Sequence, residues 1–439
     1  MRRHQESHEA ANQRNLDLLE QARKSREGYD GENTREAFRA AVKAAFNGNE
    51  PRKFQLDVAE AMTLGLDSTV IAGTGSGKTL PWAIPLLLDE NKNKVVLVIS
   101  PLKALQKEHR RYRVLLASPE MCFVNVEFSK LLRDATWSKH TMFVVIDEAH
   151  CITQWGREFR TQYSTLNKLR SYFAPQTPLL LTSATLPPQT LSDIRDSLEV
   201  QDDRSFDLNL GNDRSNITPI VWPMKGGKDD FGSLNFVLSG GDIRRTVIYF
   251  NEKETARKAC EYLQSLVPTK QSQIDFVHSS RCSGPQKRVL KQFQAGEINI
   301  LCATEVVGMG TDLKNVTLVV QYMVPSSLSV WVQRAGRAGR SGLPSCAVLL
   351  YEPSVVQRVN TQDDEDDDVE EAEQEWSGDD FKKRNVEDSL RAYVMEEECR
   401  RALTDKYFDN PPRDKTGTSR VTFVKCVFEL LFSLFSSML

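Results

Sequence analysis

The sequence predicts an α/β protein made of two tandem units, each with a parallel sheet, followed by an incomplete helical segment. Three observations carry that expectation. Apolar, β-branched runs at Thr69–Ala72, Val95–Ser100, Phe143–Ile146 and Leu179–Ser183 alternate with helical stretches between Pro51 and about Val200. Short continuous apolar runs separated by crossover-length segments read as strands buried on both faces of a parallel, doubly wound sheet. The alternation then resumes at Thr246–Phe250, Ile274–His278, Ile298–Ala303, Thr317–Tyr322 and Ala347–Tyr351. Finally, 439 residues suffice for two to three domains, each with its own core.

The expected boundaries follow from composition. Residues 1–45 are polar and helix-prone, with apolar spacing only around Ala37–Phe46, and the first thirty read as disordered. The first α/β unit is placed at 46–200 and the second at 201–355. Gln201–Gly241, with its GND, GGKDD and SGGD clusters, reads as a linker with the opening strand of the second unit. Residues 356–385 form an acidic linker, and 386–439 a partial C-terminal module with an apolar tail.

Charge and cysteine usage narrow the class. Asp363–Asp380 holds twelve Asp/Glu and no Lys/Arg, so without it the net charge of −3 becomes +9. A basic folded part fits a polyanionic partner. Hydrophobic content of 40% and charged content of 27% describe a soluble globular chain. The N-terminus, MRRHQESHEAANQ, has no apolar core of the secretory kind, and the tail Val421–Leu439 carries Lys425 and Glu429, which argues against a membrane anchor. Eight cysteines stand singly at 122, 151, 260, 282, 302, 346, 399 and 426 without any CxxC. Neither a disulfide framework nor a zinc knuckle is legible, and no structural zinc is expected.

The first unit opens with Val70–Leu80, VIAGTGSGKTL. A strand runs into a glycine-rich turn ending in Lys78 and Thr79, which is the pattern of a phosphate-binding loop. Main-chain N–H groups of Gly73, Thr74, Gly75, Ser76 and Gly77 can converge on a triphosphate where side chains would obstruct it. Lys78 would reach the outer phosphates and Thr79 would hold Mg²⁺, with the next helix turning its positive end to the anion. The first glycine of the usual pattern is Ala72 here. Farther on, TMFVVIDEAH (Thr141–His150) ends a buried strand on two carboxylates. Ligands of open α/β sheets bind at such strand ends. Asp147 suits the Mg²⁺ role, and Glu148 suits orienting and deprotonating the attacking water.

Two further segments carry chemistry. Gln333–Gly342, QRAGRAGRSG, spaces Arg334, Arg337 and Arg340 by three, read as one side of a helix start. Beside a nucleotide site such arginines suit the role of arginine fingers supplied by the second unit, each worth about 10³–10⁵ in phosphoryl-transfer rate. Ala303–Asp312, ATEVVGMGTD, is a glycine-rich strand-to-loop element of the kind that tracks a backbone and couples to the nucleotide, with Gly310 and Asp312 as its candidates.

These pieces, in this order, resemble a superfamily 2 helicase, and the details resemble its RecQ branch, over roughly Phe46–Tyr351. Motif I is AGTGSGKT, motif Ia SPLKAL (Ser100–Leu105), motif II DEAH, motif III TSAT (Thr182–Thr185), motif V ATEVVGMGTD and motif VI QRAGRAGR. Arg52 and Gln55 in PRKFQ fit the adenine-reading element, where a Gln amide can meet both the N6 and N7 edges. CITQWGREFRTQY (Cys151–Tyr163) resembles the RecQ aromatic-rich loop. In it Trp155, Phe159 and Tyr163 recur every fourth residue, interleaved with Arg157 and Arg160, which suits base stacking with phosphate pairing.

The resemblance implies two RecA-like domains with ATP and Mg²⁺ between them, ATP-dependent 3′–5′ unwinding of DNA, single-stranded and forked DNA as partners, and a nuclear location. The chain also departs from the pattern. Leu105 and Ser118 leave room for barely one helix and one strand between motifs Ia and Ib, where RecQ proteins have tens of residues. Arg157 stands for the usual His and Thr161 for the usual Pro, and the aromatic ahead of PRKFQ is displaced to Phe46. Cys399–Phe408, CRRALTDKYF, resembles the opening of the RecQ zinc subdomain, but only Cys426 follows. A nucleic-acid-binding remnant that keeps DNA binding or partial ATPase activity without unwinding, and an RNA helicase, are the two alternative expectations.

Overall fold

Two six-stranded parallel sheets organise the chain. The computed structural model describes residues 2–89, 91, 93–100, 113–152, 161–239, 243–305, 313, 315–356 and 386–413. It divides into two compact units: Met1–Asp213 with Asp405–Lys415, and one beginning at Arg214 that runs to Thr404.

The first unit contains β1 (Asp67–Ile71), β2 (Val95–Ile99), β3 (Val114–Ala117), β4 (Thr141–Asp147), β5 (Leu179–Ser183) and β6 (Ser205–Asn209), ordered β3-β2-β4-β5-β1-β6. Its core joins Val70, Val96, Val98, Val145, Leu180 and Phe206 to Phe54, Val58 and Met62 of helix α3 (Lys53–Thr63). Each large side chain so buried contributes about 1.5–3 kcal/mol. The order sets β4, β5 and β1 side by side, so the chain segments leaving their carboxyl ends are neighbours. That one fact brings the functional motifs together.

The N-terminal segment differs from the expectation of disorder. Arg2–Ser25 forms α1 and Gly31–Ala45 forms α2, both in the first unit. Few apolar residues anchor α1 (Leu19 is buried), and polar contacts supply the rest. Asn15 Nδ2 donates to the Asp207 carbonyl on β6, and Asp207 N donates back to Asn15 Oδ1 at 3.1 Å. The fully buried carboxylate of Glu60 on α3 receives Arg23 Nε and Nη2 at 2.8 and 2.9 Å and Arg35 Nε at 2.5 Å. A buried carboxylate needs such partners, and losing both arginines would leave an uncompensated charge that costs about 3–5 kcal/mol. Tertiary ion pairs of this kind leave no periodic apolar signature, which is why the sequence shows a helix-prone segment but not that it is docked.

The second unit contains β7 (Ile217–Pro223), β8 (Thr246–Tyr249), β9 (Ile274–Val277), β10 (Ile300–Ala303), β11 (Leu318–Tyr322) and β12 (Ser345–Tyr351), ordered β7-β12-β11-β8-β10-β9. The helix Lys253–Leu266 lays Ala256, Ala259, Cys260 and Leu263 on this sheet, together with Phe250, Val320 and Val348. The segment expected to be a linker with an entry strand carries two strands: β6 pairs with β1 of the first unit, and β7, the opening strand of the second unit, pairs with β12. Asp207, Asn209, Pro219 and Pro223 dilute the apolar pattern of these edge strands, where polar residues and proline are tolerated. The described cysteines are free thiols, five of them buried.

Candidate nucleotide site

The loop after β1 has the geometry of an anion cradle. Gly75 and Gly77 adopt φ of +82° and +86°, the left-handed region that turns successive N–H groups inward. A Cβ on Gly77 would lie 2.5 Å from Gln55 Nε2, so a side chain there would displace the Gln55 amide as well as strain the left-handed backbone. Ala72, standing for the usual first glycine, is fully buried, and its N–H bonds the Ser183 carbonyl at 3.0 Å, so the position continues the sheet and accommodates a methyl group. Lys78 Nζ donates to the carbonyls of Ala72 (2.6 Å) and Gly73 (3.2 Å). Thr79 lies exposed at the N-cap of α4 (Leu80–Leu87).

Gln55 is where α1 and α2 bear on this loop, because the Glu60 network holds α3 in place. Its Nε2 donates to the Gly77 carbonyl at 3.0 Å, and its Oε1 accepts from the Arg52 N–H at 2.7 Å. Arg52 in turn donates to the Ser76 carbonyl at 3.1 Å. Each end of the Gln55 amide retains one further hydrogen-bonding site. Phe46, at the end of α2, exposes 44% of its surface.

The carboxylates sit at the end of β4. Asp147 Oδ1 accepts Thr182 Oγ1 at 2.8 Å and the Glu148 N–H at 3.0 Å. Burial, then the neighbouring Glu148 charge, pushes the Asp147 carboxyl above the usual carboxylate range, against the Thr182 hydrogen bond and the Lys78 charge. The folded chain therefore holds this proton more tightly than the unfolded chain. The group favours folding below its ordinary pKa and opposes it at neutral pH, where a bound cation would offset the cost. Glu148 has φ of +53°, an uncommon conformation for a non-glycine residue and one that recurs at functional sites. Its Oε2 lies 3.5 Å from His150 Nδ1 and has no hydrogen-bond partner. Ser76 Oγ is likewise buried without one.

The TSAT segment wires the two halves of the site, a role that motif spelling alone does not assign. Thr182 holds Asp147, and the buried His150 meets Ser183 Oγ through Nδ1 at 3.0 Å. Ser183 Oγ also accepts the Thr185 N–H at 3.2 Å. Thr182, Ser183 and His150 thus belong to the site. The signal for them was the adjacency of TSAT and DEAH on paired strands, with Asp147 beside Thr182 in register.

The arginine segment differs from the expected helix start. Arg334 lies in the last turn of the helix Leu328–Ala335, and Arg337 and Arg340 lie in the turns beyond it. Gly336 caps the helix, and Gly339 turns left-handed at φ +58°, where a Cβ would meet Asn216 Nδ2 at 2.4 Å. The three arginines then differ in kind. Arg334 is spent on structure: Gln321 Oε1 at 2.7 Å, Asn251 Oδ1 at 3.3 Å and Glu305 Oε2 at 2.5 Å accept from it, and its guanidinium lies over the Tyr249 ring. Arg337 is only 3% exposed, yet its Nε and Nη2 have no hydrogen-bond partner. A buried guanidinium with donors unspent is costly unless an anion meets it.

Gly310, Asp312, Trp155, Arg157, Phe159 and Arg160 lie outside the described residues. Tyr163 falls in the 3₁₀ segment Thr161–Tyr172, with only its backbone described. The apolar tail Val421–Leu439 also lies outside the described residues, among which no helix is long and apolar enough to cross a membrane.

ATP with a divalent metal fits this donor set: the Gly73–Gly77 amides and Lys78 for phosphates, and Thr79 and Asp147 for the cation. Unspent Ser76 Oγ and Glu148 Oε2 and the mutual repulsion of two adjacent carboxylates call for such a ligand.

Comparison with known proteins agrees with this architecture. The DEAD/DEAH box helicase family matches residues 52–112 and 106–194, and the helicase conserved C-terminal domain matches 232–342. By these matches the chain belongs to the DEAD/DEAH box helicase family, with tandem RecA-like domains. Within that family it is RecQ-like. It is 31% identical over 345 residues to the ATP-dependent DNA helicase RecQ of Pasteurella multocida, covering 71% of this chain and 51% of the relative. It is 29% identical to the probable ATP-dependent DNA helicase RecS of Bacillus subtilis, covering 69% and 64%. The chain thus spans about half to two thirds of the length of these relatives. Among solved structures, S. cerevisiae Dbp5 bound to RNA and ADP BeF3 matches with a TM-score of 0.60 at 14% identity, covering 91% of this chain and 97% of that one. Mycobacterium smegmatis Lhr bound to single-stranded DNA and AMP-PNP matches with 0.53 at 21% identity, covering 72% and 47%. At these identities the structural likeness concerns the fold.

Proposed function

We propose that the chain hydrolyses ATP with Mg²⁺ and couples the reaction to 3′–5′ movement along single-stranded DNA and to duplex unwinding. The observation that carries the reading is the joining of Lys78, Asp147, Glu148 and Thr182 at adjacent strand ends, with unspent polar atoms on Glu148 and Ser76. In this reading the loop amides and Lys78 bind and orient the phosphates. Asp147, held by Thr182, and Thr79 position the metal, which supplies charge neutralisation when bound. Glu148 takes the proton of the attacking water, while Arg337 and Arg340 meet the negative charge of the transferring phosphoryl group. Arg52 and Gln55 read the adenine, and Gly310 and Asp312 relay nucleotide state. Single-stranded and forked DNA are the proposed substrates, supported by the DNA helicases among the relatives, and the nucleus is the proposed place of action.

Trp155, Arg157, Phe159, Arg160 and Tyr163 are proposed to bind the single strand and report it to Glu148, seven residues before Trp155. Trp155→Ala is expected to leave basal ATP turnover near the parent value, sharply reduce its stimulation by single-stranded DNA, and weaken binding by about 1–3 kcal/mol. Steady-state phosphate release with and without DNA, alongside a melting curve, separates this from core packing. Proportional loss of both rates with a lowered melting temperature would refute the assignment.

A second reading, a DNA-stimulated ATPase that does not unwind, is favoured by one feature, the short stretch between Leu105 and Ser118. Fork unwinding measured beside phosphate release decides between the two.

A further inference from the structure

We propose that His4, His8 and Asp409 form a site for a first-row divalent metal of the Zn²⁺ type, which fastens the segment after the helix Arg400–Phe408 to α1. The two histidines stand four residues apart on α1, so their rings share one face. Their centroids are 4.7 Å apart. Both point Nε2 at the same carboxylate oxygen: His4 at 2.9 Å and His8 at 3.5 Å from Asp409 Oδ1. All three ligand atoms lie within 4.8 Å of one another. Tetrahedral Zn²⁺ with Zn–N of about 2.0–2.1 Å separates its ligands by about 3.3 Å, close to the His8–Asp409 distance.

A plain hydrogen-bonded cluster accounts for only part of this arrangement. His4 makes a hydrogen bond to Asp409, but His8 Nε2 is buried without a hydrogen-bond partner. A cation there would satisfy all three groups at once. Imidazole and carboxylate donors together suit Zn²⁺, Co²⁺, Ni²⁺ or Cu²⁺. The Asp409 side chain is 51% exposed, which leaves room for water as a fourth ligand.

The backbone that carries this carboxylate is also held in place. Asp409 takes a left-handed φ of +50° directly after the helix. Its carbonyl accepts Asn209 Nδ2 at 2.7 Å. Asn410 and Asn212 bond reciprocally, Asn212 N to Asn410 Oδ1 at 3.2 Å and Asn410 Nδ2 to Asn212 Oδ1 at 2.9 Å. The segment is thereby docked on the chain leaving β6, and the metal would join it to α1 as well. The cysteine count, which led to an expectation of no structural zinc, is blind to a site without cysteine.

Co²⁺ is the probe, added to the purified full chain without nucleotide. The expected result is one equivalent bound with ligand-field absorption, without thiolate charge-transfer bands, and displaced by Zn²⁺. His4→Ala, His8→Ala and Asp409→Asn should each weaken binding at least about tenfold. Zn²⁺ should raise the melting temperature of the parent and not that of the His4→Ala/His8→Ala variant. Three outcomes would overturn the proposal: no stoichiometric Co²⁺ on the folded parent, affinity unchanged in the three variants, or a thiolate band that disappears in Cys399→Ser. The first and third need no histidine variant to fold.

Discussion

Arg337→Ala should lower ATP turnover by about 10³–10⁵ while changing apparent ATP affinity only slightly, because the side chain is assigned to charge that develops in the transition state. The structure adds a second expectation. Arg337 is buried with two guanidinium nitrogens unpartnered, so it strains the nucleotide-free protein rather than supporting it. Its truncation should therefore leave the melting temperature unchanged or raise it. Arg334 is the comparison. Its removal strands Gln321, which is fully buried, and costs about 1–3 kcal/mol per unsatisfied group, so Arg334→Ala should destabilise the fold. Single-turnover rates, ATP titrations and melting curves for the two variants separate the roles. A loss confined to affinity, or a melting temperature for Arg337→Ala as low as that for Arg334→Ala, would contradict the assignment.

Glu148→Gln should reduce turnover by about 10²–10⁴ and retain bound ATP, since glutamine keeps the shape and loses the base. The left-handed backbone at φ +53° aims this side chain from the end of β4, and the amide can occupy the same place. Asp147 remains fixed by Thr182, so metal binding should persist. Nucleotide retention on a desalting column, measured beside phosphate release, tests both halves. Normal hydrolysis by this variant would remove Glu148 from its role.

The parts legible in the sequence were those where chemistry and fold coincide. Lys78 and Asp147 sit at strand ends, and the apolar runs of β1, β4 and β5 identify those strands as buried. Between Gln201 and Gly241 the sequence shows one entry strand, which β7 supplies, but not edge strand β6 of the first sheet, because Asp207 and Asn209 conceal its pattern. The arginine run was read as a helix start because its spacing of three mimics a helical face. Gly336 and Gly339 instead end the helix and spread Arg334, Arg337 and Arg340 over different environments. The N-terminal segment reads as helix-prone, but the docking of α1 is not legible, because Arg23, Arg35 and Asn15 hold the N-terminal helices through contacts with Glu60 and Asp207, which no local window contains. The wiring of His150 to Ser183 depends likewise on two strands that are distant in sequence and adjacent in the sheet.

The central claim, that this chain is an ATPase driven by single-stranded DNA, is tested most directly by phosphate release from the purified full chain with and without a single strand, set against Lys78→Ala. The account predicts hydrolysis by the parent that rises with DNA. It predicts none above background in the variant, whose fold should persist because the half-buried Lys78 ammonium bonds the phosphate-loop carbonyls of Ala72 and Gly73 and is not part of the hydrophobic core. A folded parent that releases no phosphate with DNA present, or a Lys78→Ala variant that hydrolyses ATP at the parent rate, would contradict it.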